Sequence, residues 1–216
     1  MRILVVGGGT GGTIVANNLA RRLSAEIRAR KVRITLLSAS DRHMYQPGLL
    51  YVAFGQMTPD QLYRDQAGLL EGSIDFHVDP VRKFELDQNK VVTESGKVHE
   101  YDILVVATGS RIVPEDIPGM AKGAETFYTE ASAVKMFKRL REIQEGTVAV
   151  VVGVPHKCPI APVELVFGLH DYFKARGIRD KIRIKYHYPI GRIHTIKEVA
   201  TWAKPEFDRM GIEYET

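Results

Sequence analysis

Cysteine is almost missing from this sequence: Cys158 is the only one in 216 residues, and there is a single tryptophan. A lone thiol excludes a disulfide inside the chain and fits a reducing compartment. Long hydrophobic runs are missing too. The stretches Ile103–Ala107 and Val148–Val154 are strand-length, far short of the roughly 20 residues that cross a bilayer. No low-complexity tract or solenoid-period repeat occurs. Charge is not dominated by one sign, because 30 basic and 26 acidic residues leave +4 spread along the chain, so the basic balance points to no nucleic-acid partner. The one local concentration, Arg21, Arg22, Arg28, Arg30 and Lys31, reads as a solvated helix end. His156, His170 and His187 lack metal-ligand spacing with one another or with Cys158, so no metal is expected. Gly7 interrupts the first apolar run at once, which is unlike a secretory signal. The expectation is a cytoplasmic chain without a spanning helix.

What the chain does have is a glycine fingerprint. Arg2-Ile3-Leu4-Val5-Val6 is an apolar strand that runs into Gly7-Gly8-Gly9-Thr10-Gly11-Gly12 and then a helical stretch from Thr13 to Leu23. The spacing Gly7-x-Gly9-x-x-Gly12 supplies a tight turn, room for a pyrophosphate against bare backbone, and close helix–strand packing. Phosphate would sit at the helix N-terminus, where unpaired N–H groups favour an anion. The second strand, Val32–Leu37, ends at Ser38, where such folds usually place an acid for the adenosine ribose. A serine hydroxyl can bond a ribose hydroxyl, more weakly for want of charge.

The pattern predicts an α/β protein with two Rossmann-like layers: a dinucleotide-binding domain over 1–115 and a second domain over 116–216 that is incomplete at its C-terminus. In the first, a loop from Ser38 to Gly55 precedes a helix over Pro59–Leu70. Strands at Ile74–Val78, Val81–Leu86, Val91–Glu94 and Val98–Tyr101 read as a small antiparallel meander inserted before a buried strand, Asp102–Val106, which ends in Ala107-Thr108-Gly109. A Pro/Gly linker over Pro114–Gly119 marks the boundary. Then come Phe127-Tyr128, helix Ala131–Glu142, strand Thr147–Val152, helix Ala161–Ala175, strand Ile182–Tyr188 and helix Thr195–Met210. Ile212–Thr216 reads as a strand just begun, so the sequence is expected to be the N-terminal part of something longer.

The set Gly7–Gly12, His43-Met44-Tyr45-Gln46-Pro47-Gly48, Ala107-Thr108-Gly109 and Lys157-Cys158-Pro159-Ile160-Ala161-Pro162 resembles the sulfide:quinone oxidoreductase family of two-dinucleotide-domain flavoproteins. The resemblance implies FAD in the first site. Gly7, Gly9, Thr10, Gly11 and Gly12 would serve the pyrophosphate, Ser38 would stand near the ribose, Ala107, Thr108 and Gly109 beside the cofactor, and Gln46–Pro47 near the isoalloxazine. His43 belongs to the matched segment, either near the flavin or as a loop-structuring group. Members of that family are longer, and their C-terminal half carries a second flavin segment, another redox cysteine and the membrane-docking surface. Many also have a cysteine near Phe127-Tyr128-Thr129-Glu130; Thr129 can form neither a persulfide nor a thioether to flavin.

The residues of the second domain point the same way. After Val148–Val152 the chain continues Gly153-Val154-Pro155-His156-Lys157-Cys158-Pro159, where two prolines remove backbone donors and one glycine allows close approach, so a nicotinamide dinucleotide is poorly served. A thiol stands there instead. Cys158 precedes a helix opened by Pro159 and Pro162, with Lys157 beside it, a setting that favours thiolate and sulfur attack; a buried structural cysteine is the alternative reading. His194 could face a quinone or help move protons. The functional expectation is FAD-dependent oxidation of sulfide or polysulfide with two electrons passed to a quinone, through Cys158, Lys157 and His194. The alternatives are a type II NADH:quinone oxidoreductase-like flavoprotein and a non-catalytic flavin-binding domain. Peripheral contact with the inner face of the cell membrane through the C-terminal half, and a homo-oligomer, are both compatible with this reading.

Overall fold

Every residue of β1 (Arg2–Val6) from Ile3 onward is buried, which requires cover on both faces of the strand. Side chains alternate across a strand, so Ile3 and Val5 face one way and Leu4 and Val6 the other. On one side Ile3 and Val5 join Ala16 and Ala20 of α1 (Thr10–Arg22) with Ile34 and Leu36 of β2 (Arg33–Ser38). Ala16 and Ala20 lie one turn apart, and their small side chains let the helix lie close on the sheet. On the other side Leu4 and Val6 pack with Leu37, Val91 and Tyr101. A short helix, α2 (Ser24–Arg28), links α1 to β2.

The computed structural model describes residues 1–216 as two compact units: Met1–Tyr45 with Asp60–Ser110, and Gln46–Pro59 with Arg111–Thr216. In the first, β3 (Arg42–Met44) pairs antiparallel with β4 (Tyr63–Asp65), His43 lying opposite Arg64. Next come β5 (Ile74–Val78), then β6 (Val81–Glu85), β7 (Lys90–Thr93), β8 (Val98–Glu100) and β9 (Ile103–Val106). The main sheet runs β5-β2-β1-β9, all parallel, and β6-β7-β8 form a separate antiparallel sheet.

Ile74–Val78 is not part of the meander; it is a parallel edge strand beside β2, and a buried Ile74 joins the α1-side core. No helix spans Pro59–Leu70, where two short 3-10 turns flank β4. The buried strand expected at Asp102–Val106 is instead the other edge, with Ile103 46% and Val106 56% exposed. Helix α1 begins at Thr10 rather than Thr13, because three small residues need no side-chain room in the first turn.

In the second unit, α3 (Gly48–Ala53) occupies what reads in sequence as loop. Phe54 follows it and tilts against Tyr172 at 5.8 Å between ring centroids, and a Cβ on Gly168 would meet the Phe54 ring at 2.5 Å. Next are α4 (Met120–Gly123), α5 (Glu130–Glu142), β10 (Gly146–Val151), α6 (Ala161–Ala175), β11 (Ile182–His187), α7 (Lys197–Arg209) and β12 (Ile212–Glu215). The strands form a parallel sheet in the order β10-β11-β12, as expected of a second Rossmann-like layer. Its core on α7 is aromatic, Phe207 lying edge-on to Tyr186 at 5.3 Å and to Phe167 at 5.5 Å. Phe127-Tyr128 is not a strand; the rings stack at 5.1 Å in irregular chain. No helix is long and apolar enough to cross a membrane.

Candidate functional site

The turn between β1 and α1 has no room for side chains where it must close. At Gly7, whose φ is +112°, a Cβ would lie 2.3 Å from the Ala107 carbonyl oxygen, just past β9. Ala107 N–H in turn donates to the Val6 carbonyl at 2.8 Å. At Gly12 a Cβ would lie 1.8 Å from the Gly7 carbonyl oxygen. Gly9 is the opposite case: it is exposed and no atom stands within 4 Å of its Cβ position.

Gly9 also caps α1 with no side-chain hydrogen bond, and the first intrahelical bond there is donated by Thr13 N–H to the Gly9 carbonyl. The N–H groups ahead of Thr13 therefore lack helical acceptors, and the helix N-terminus favours an anion. Bare backbone at Gly9, exposed Thr10 and Gly11, and uncapped donors are what a dinucleotide pyrophosphate requires. The residues present fit FAD at this position.

The side chains expected around this cradle fall into two groups. Ser38 is buried, and its Oγ stands 2.5 Å from a Cβ position at Gly8 while accepting from Ser40 N–H at 3.2 Å. His43 places Nδ1 3.0 Å from the Gly8 carbonyl and 3.0 Å from Gln66 Oε1. Thr108 and Gly109 are exposed beyond β9. Gln46 and Pro47 are also exposed but belong to the second unit, where Pro47 caps α3. Sequence reasoning missed Gln66 and Thr13. Gln66 is fully buried, and its Nε2 donates to Thr13 Oγ1 at 2.9 Å, while Thr13 donates to the Gly8 carbonyl at 3.2 Å. A buried glutamine beside a glycine turn has no local sequence signature, so nothing in the pattern could have flagged it.

In the second unit the β10–α6 connection is long, residues 152–160, and carries no phosphate cradle. A Cβ on Gly153 would meet Ile117 Cδ1 at 2.5 Å, so that glycine is covered by a side chain rather than open. Cys158 is half-buried and free, ahead of α6, whose first turn contains Pro162 and Glu164. Lys157 beside it is exposed. Burial, and then the neighbouring charge of Cys158, push the Tyr128 hydroxyl up to about 12. His156 Nε2 lies 2.5 Å from the Tyr188 hydroxyl, whose pKa burial also raises.

His194 is buried within the second unit. It is 1% exposed, its Nδ1 accepts from Ile196 N–H at 3.0 Å ahead of α7, and its Nε2 is buried without a partner. The imidazole steadies the turn before α7. No cluster of three or more His, Cys, Asp or Glu side chains could hold a metal ion.

Comparison with known proteins agrees with this geometry. The model of the pyridine nucleotide-disulphide oxidoreductase family matches residues 1–154. The mitochondrial sulfide:quinone oxidoreductase of Dictyostelium discoideum is 30% identical over 195 residues, covering 86% of this chain and 42% of that protein. The X-ray structure of the sulfide:quinone oxidoreductase from Aquifex aeolicus aligns with a TM-score of 0.82 at 25% identity, over 99% of this chain and 50% of that one. A type II NADH:quinone oxidoreductase of Staphylococcus haemolyticus is 28% identical over 142 residues, 65% of this chain and 34% of that protein. The chain thus spans half or less of the length of these relatives. A glycine cradle built for a flavin dinucleotide and a family match across most of the sequence lead to one conclusion: the chain belongs to the pyridine nucleotide-disulphide oxidoreductase family of FAD-binding flavoproteins.

Proposed function

We propose that this chain is the FAD- and thiol-bearing part of an enzyme that oxidises sulfide and passes the electrons to a quinone. The observation that carries this reading is Cys158 in the 152–160 connection, where a nicotinamide-binding relative would need an open glycine turn. Bound FAD would supply the two-electron redox chemistry between sulfur and quinone. The chain's own residues bind and orient. Gly9, Thr10 and Gly11 hold the pyrophosphate on a turn that Gly7 and Gly12 allow to close, Ser38 and His43 flank the nucleotide side of the turn, and Ala107, Thr108 and Gly109 line the cofactor. The sequence resemblance assigns Gln46 and Pro47 to the isoalloxazine end.

Cys158 supplies the sulfur chemistry. A hydrosulfide sulfur attacks an S–S bond that Cys158 shares with a second sulfur; that bond breaks, a new S–S bond forms to the second sulfur, and Cys158 leaves as thiolate with the electron pair. The second sulfur comes from outside these 216 residues, since Cys158 is their only cysteine. Lys157 stabilises the departing thiolate. Quinone access through a peripheral membrane contact belongs to the same reading.

A second reading, NADH:quinone oxidoreduction, is favoured by the likeness to the Staphylococcus haemolyticus protein. Anaerobic titration separates the two. Sulfide should bleach the flavin absorbance of the FAD-loaded protein and NADH should not; bleaching by NADH alone overturns the sulfide assignment.

A further inference from the structure

Ser38 leaves the nucleotide side of the cradle without a charged acceptor, and its oxygen already accepts from Ser40 N–H. The closed circuit around Gly8 offers another. The Gly8 carbonyl can only accept, so His43 Nδ1, 3.0 Å away, must carry a proton. The Gln66 atom that also faces Nδ1 at 3.0 Å must then be its oxygen. This leaves the Gln66 amide nitrogen to donate to Thr13 Oγ1, whose own proton goes to the Gly8 carbonyl. For the neutral imidazole, every polar atom in the circuit is satisfied in this arrangement only. Gln66 is further pinned by its backbone N–H, which donates to the Asp41 carbonyl at 2.7 Å.

The consequence falls on the other ring nitrogen. A neutral imidazole with its proton on Nδ1 has a bare lone pair on Nε2. His43 is half-buried, so its ring is not sealed from the surface. Ser38, at the end of β2 where this fold places its ribose acceptor, and His43 both converge on Gly8, so the imidazole stands on the ribose side of the turn.

We propose that His43 Nε2 is the acceptor for a ribose hydroxyl of the bound flavin dinucleotide, in place of the usual carboxylate, and that Gln66 is the positioning residue that holds His43 in this tautomer. The inference rests on FAD binding as proposed above. A hydroxyl donor is matched by a lone pair with no charge to desolvate, and the paired Gly8 carbonyl and Thr13 hydroxyl keep the turn fixed while it binds. Were Gln66 to lose its oxygen, His43 would divide between two tautomers, and apparent FAD affinity would fall with the fraction still bare at Nε2.

Long-range 1H–15N spectra of the imidazole-labelled full chain, above the pH range of histidine titration, test the tautomer without cofactor. His43, assigned by its loss in His43→Asn, should show protonated Nδ1 and unprotonated Nε2. A protonated Nε2 overturns the proposal. Added FAD should move the Nε2 resonance as it accepts a hydrogen bond and leave Nδ1 protonated. His43→Asn keeps a donor for Gly8 but has no atom at the place of Nε2, so its FAD dissociation constant, read by flavin fluorescence, should rise about tenfold at unchanged melting temperature. Gln66→Met should raise it in proportion to the Nε2–H fraction in its own spectrum. Wild-type FAD affinity in His43→Asn, or an Nε2 resonance that FAD leaves in place, also overturns it, while the flavin assignment stands. Failure of the wild-type chain to bind FAD overturns the flavin assignment and the ribose contact together, and the apo spectrum still decides Gln66.

Discussion

The carbonyl oxygen of Gly7 occupies the space that a Cβ on Gly12 would need, 1.8 Å from it, so the first turn of α1 is pressed against the end of β1. Gly9, three residues earlier, has nothing within 4 Å. The two glycines therefore serve different ends. Gly12→Ala should destabilise the first unit by about 3 kcal/mol, the upper range for forced overpacking, because its neighbour is backbone and cannot rotate away. Gly9→Ala should leave stability within about 0.5 kcal/mol, its φ of −73° suiting any residue. Yet Gly9→Ala should weaken FAD binding by about tenfold or more, since the methyl enters the phosphate space. Urea denaturation and flavin titration on the same two variants check both halves; equal FAD affinity in Gly9→Ala would show that the pyrophosphate lies elsewhere.

Cys158 offers a separation of a different kind. The residues of the FAD cradle lie in the first unit and Cys158 in the second. Cys158→Ser should leave the FAD dissociation constant unchanged and slow sulfide-dependent flavin reduction by about two orders of magnitude or more. Stopped-flow absorbance under anaerobic conditions measures the rate. Reduction at the wild-type rate would reassign Cys158 to structure.

Much of this architecture was legible in the chain. The glycine spacing, the parallel βαβ unit around it and the alternation of the second layer follow from local pattern, and helix α6 lies where its apolar periodicity places it, Ala161–Ala175. Ile74–Val78 was harder because strand periodicity says nothing about which sheet a strand joins; that choice is made by Ile74 packing on the α1 side of the main sheet. β9 reads as buried because its residues are all apolar, yet its position at the edge leaves Val106 uncovered. The stretch Ser38–Gly55 reads as loop since α3 is short and its apolar side chains find partners far along the chain, as Phe54 after it does on Tyr172. At the site, the backbone cradle was readable, but the Gln66–Thr13–His43 circuit depends on residues brought together only by folding.

Thr129, which lacks the thiol a persulfide or flavin thioether needs, has a structural role. It caps α5, accepting from Ser132 N–H at 3.2 Å while the Ser132 hydroxyl oxygen accepts from Thr129 N–H at 3.0 Å, a reciprocal capping box. Thr129→Ala should cost about 1 kcal/mol and lower the melting temperature by about 2–4 °C. Thr129→Ser should restore most of it. A melting temperature unchanged in the alanine variant would mean that α5 is held by packing alone.

Stability should fall on mild acidification, and His99 is the group to follow. Burial holds its pKa below the ordinary histidine value, with the charges of Lys97 and His77 adding to the effect and those of Asp79 and Asp75 opposing it. His170 is shifted the same way, first by burial and then by Arg179. In the unfolded chain these groups take up protons near pH 6.5, and in the folded chain only at lower pH. Between the two values the unfolded state binds more protons, so stability is full above about pH 6.5 and is lost as pH falls through the folded values. His99 Nε2 is also buried without a hydrogen-bond partner. His99→Phe removes both the titration and the unpaired nitrogen, so at about pH 7.5 it should match the wild type within about 1 kcal/mol or exceed it. Its urea midpoint should then vary less between about pH 7.5 and about pH 5.5 than that of the wild type. A variant that loses as much stability on acidification as the wild type would place the acid sensitivity on other groups, with His170 the next to replace.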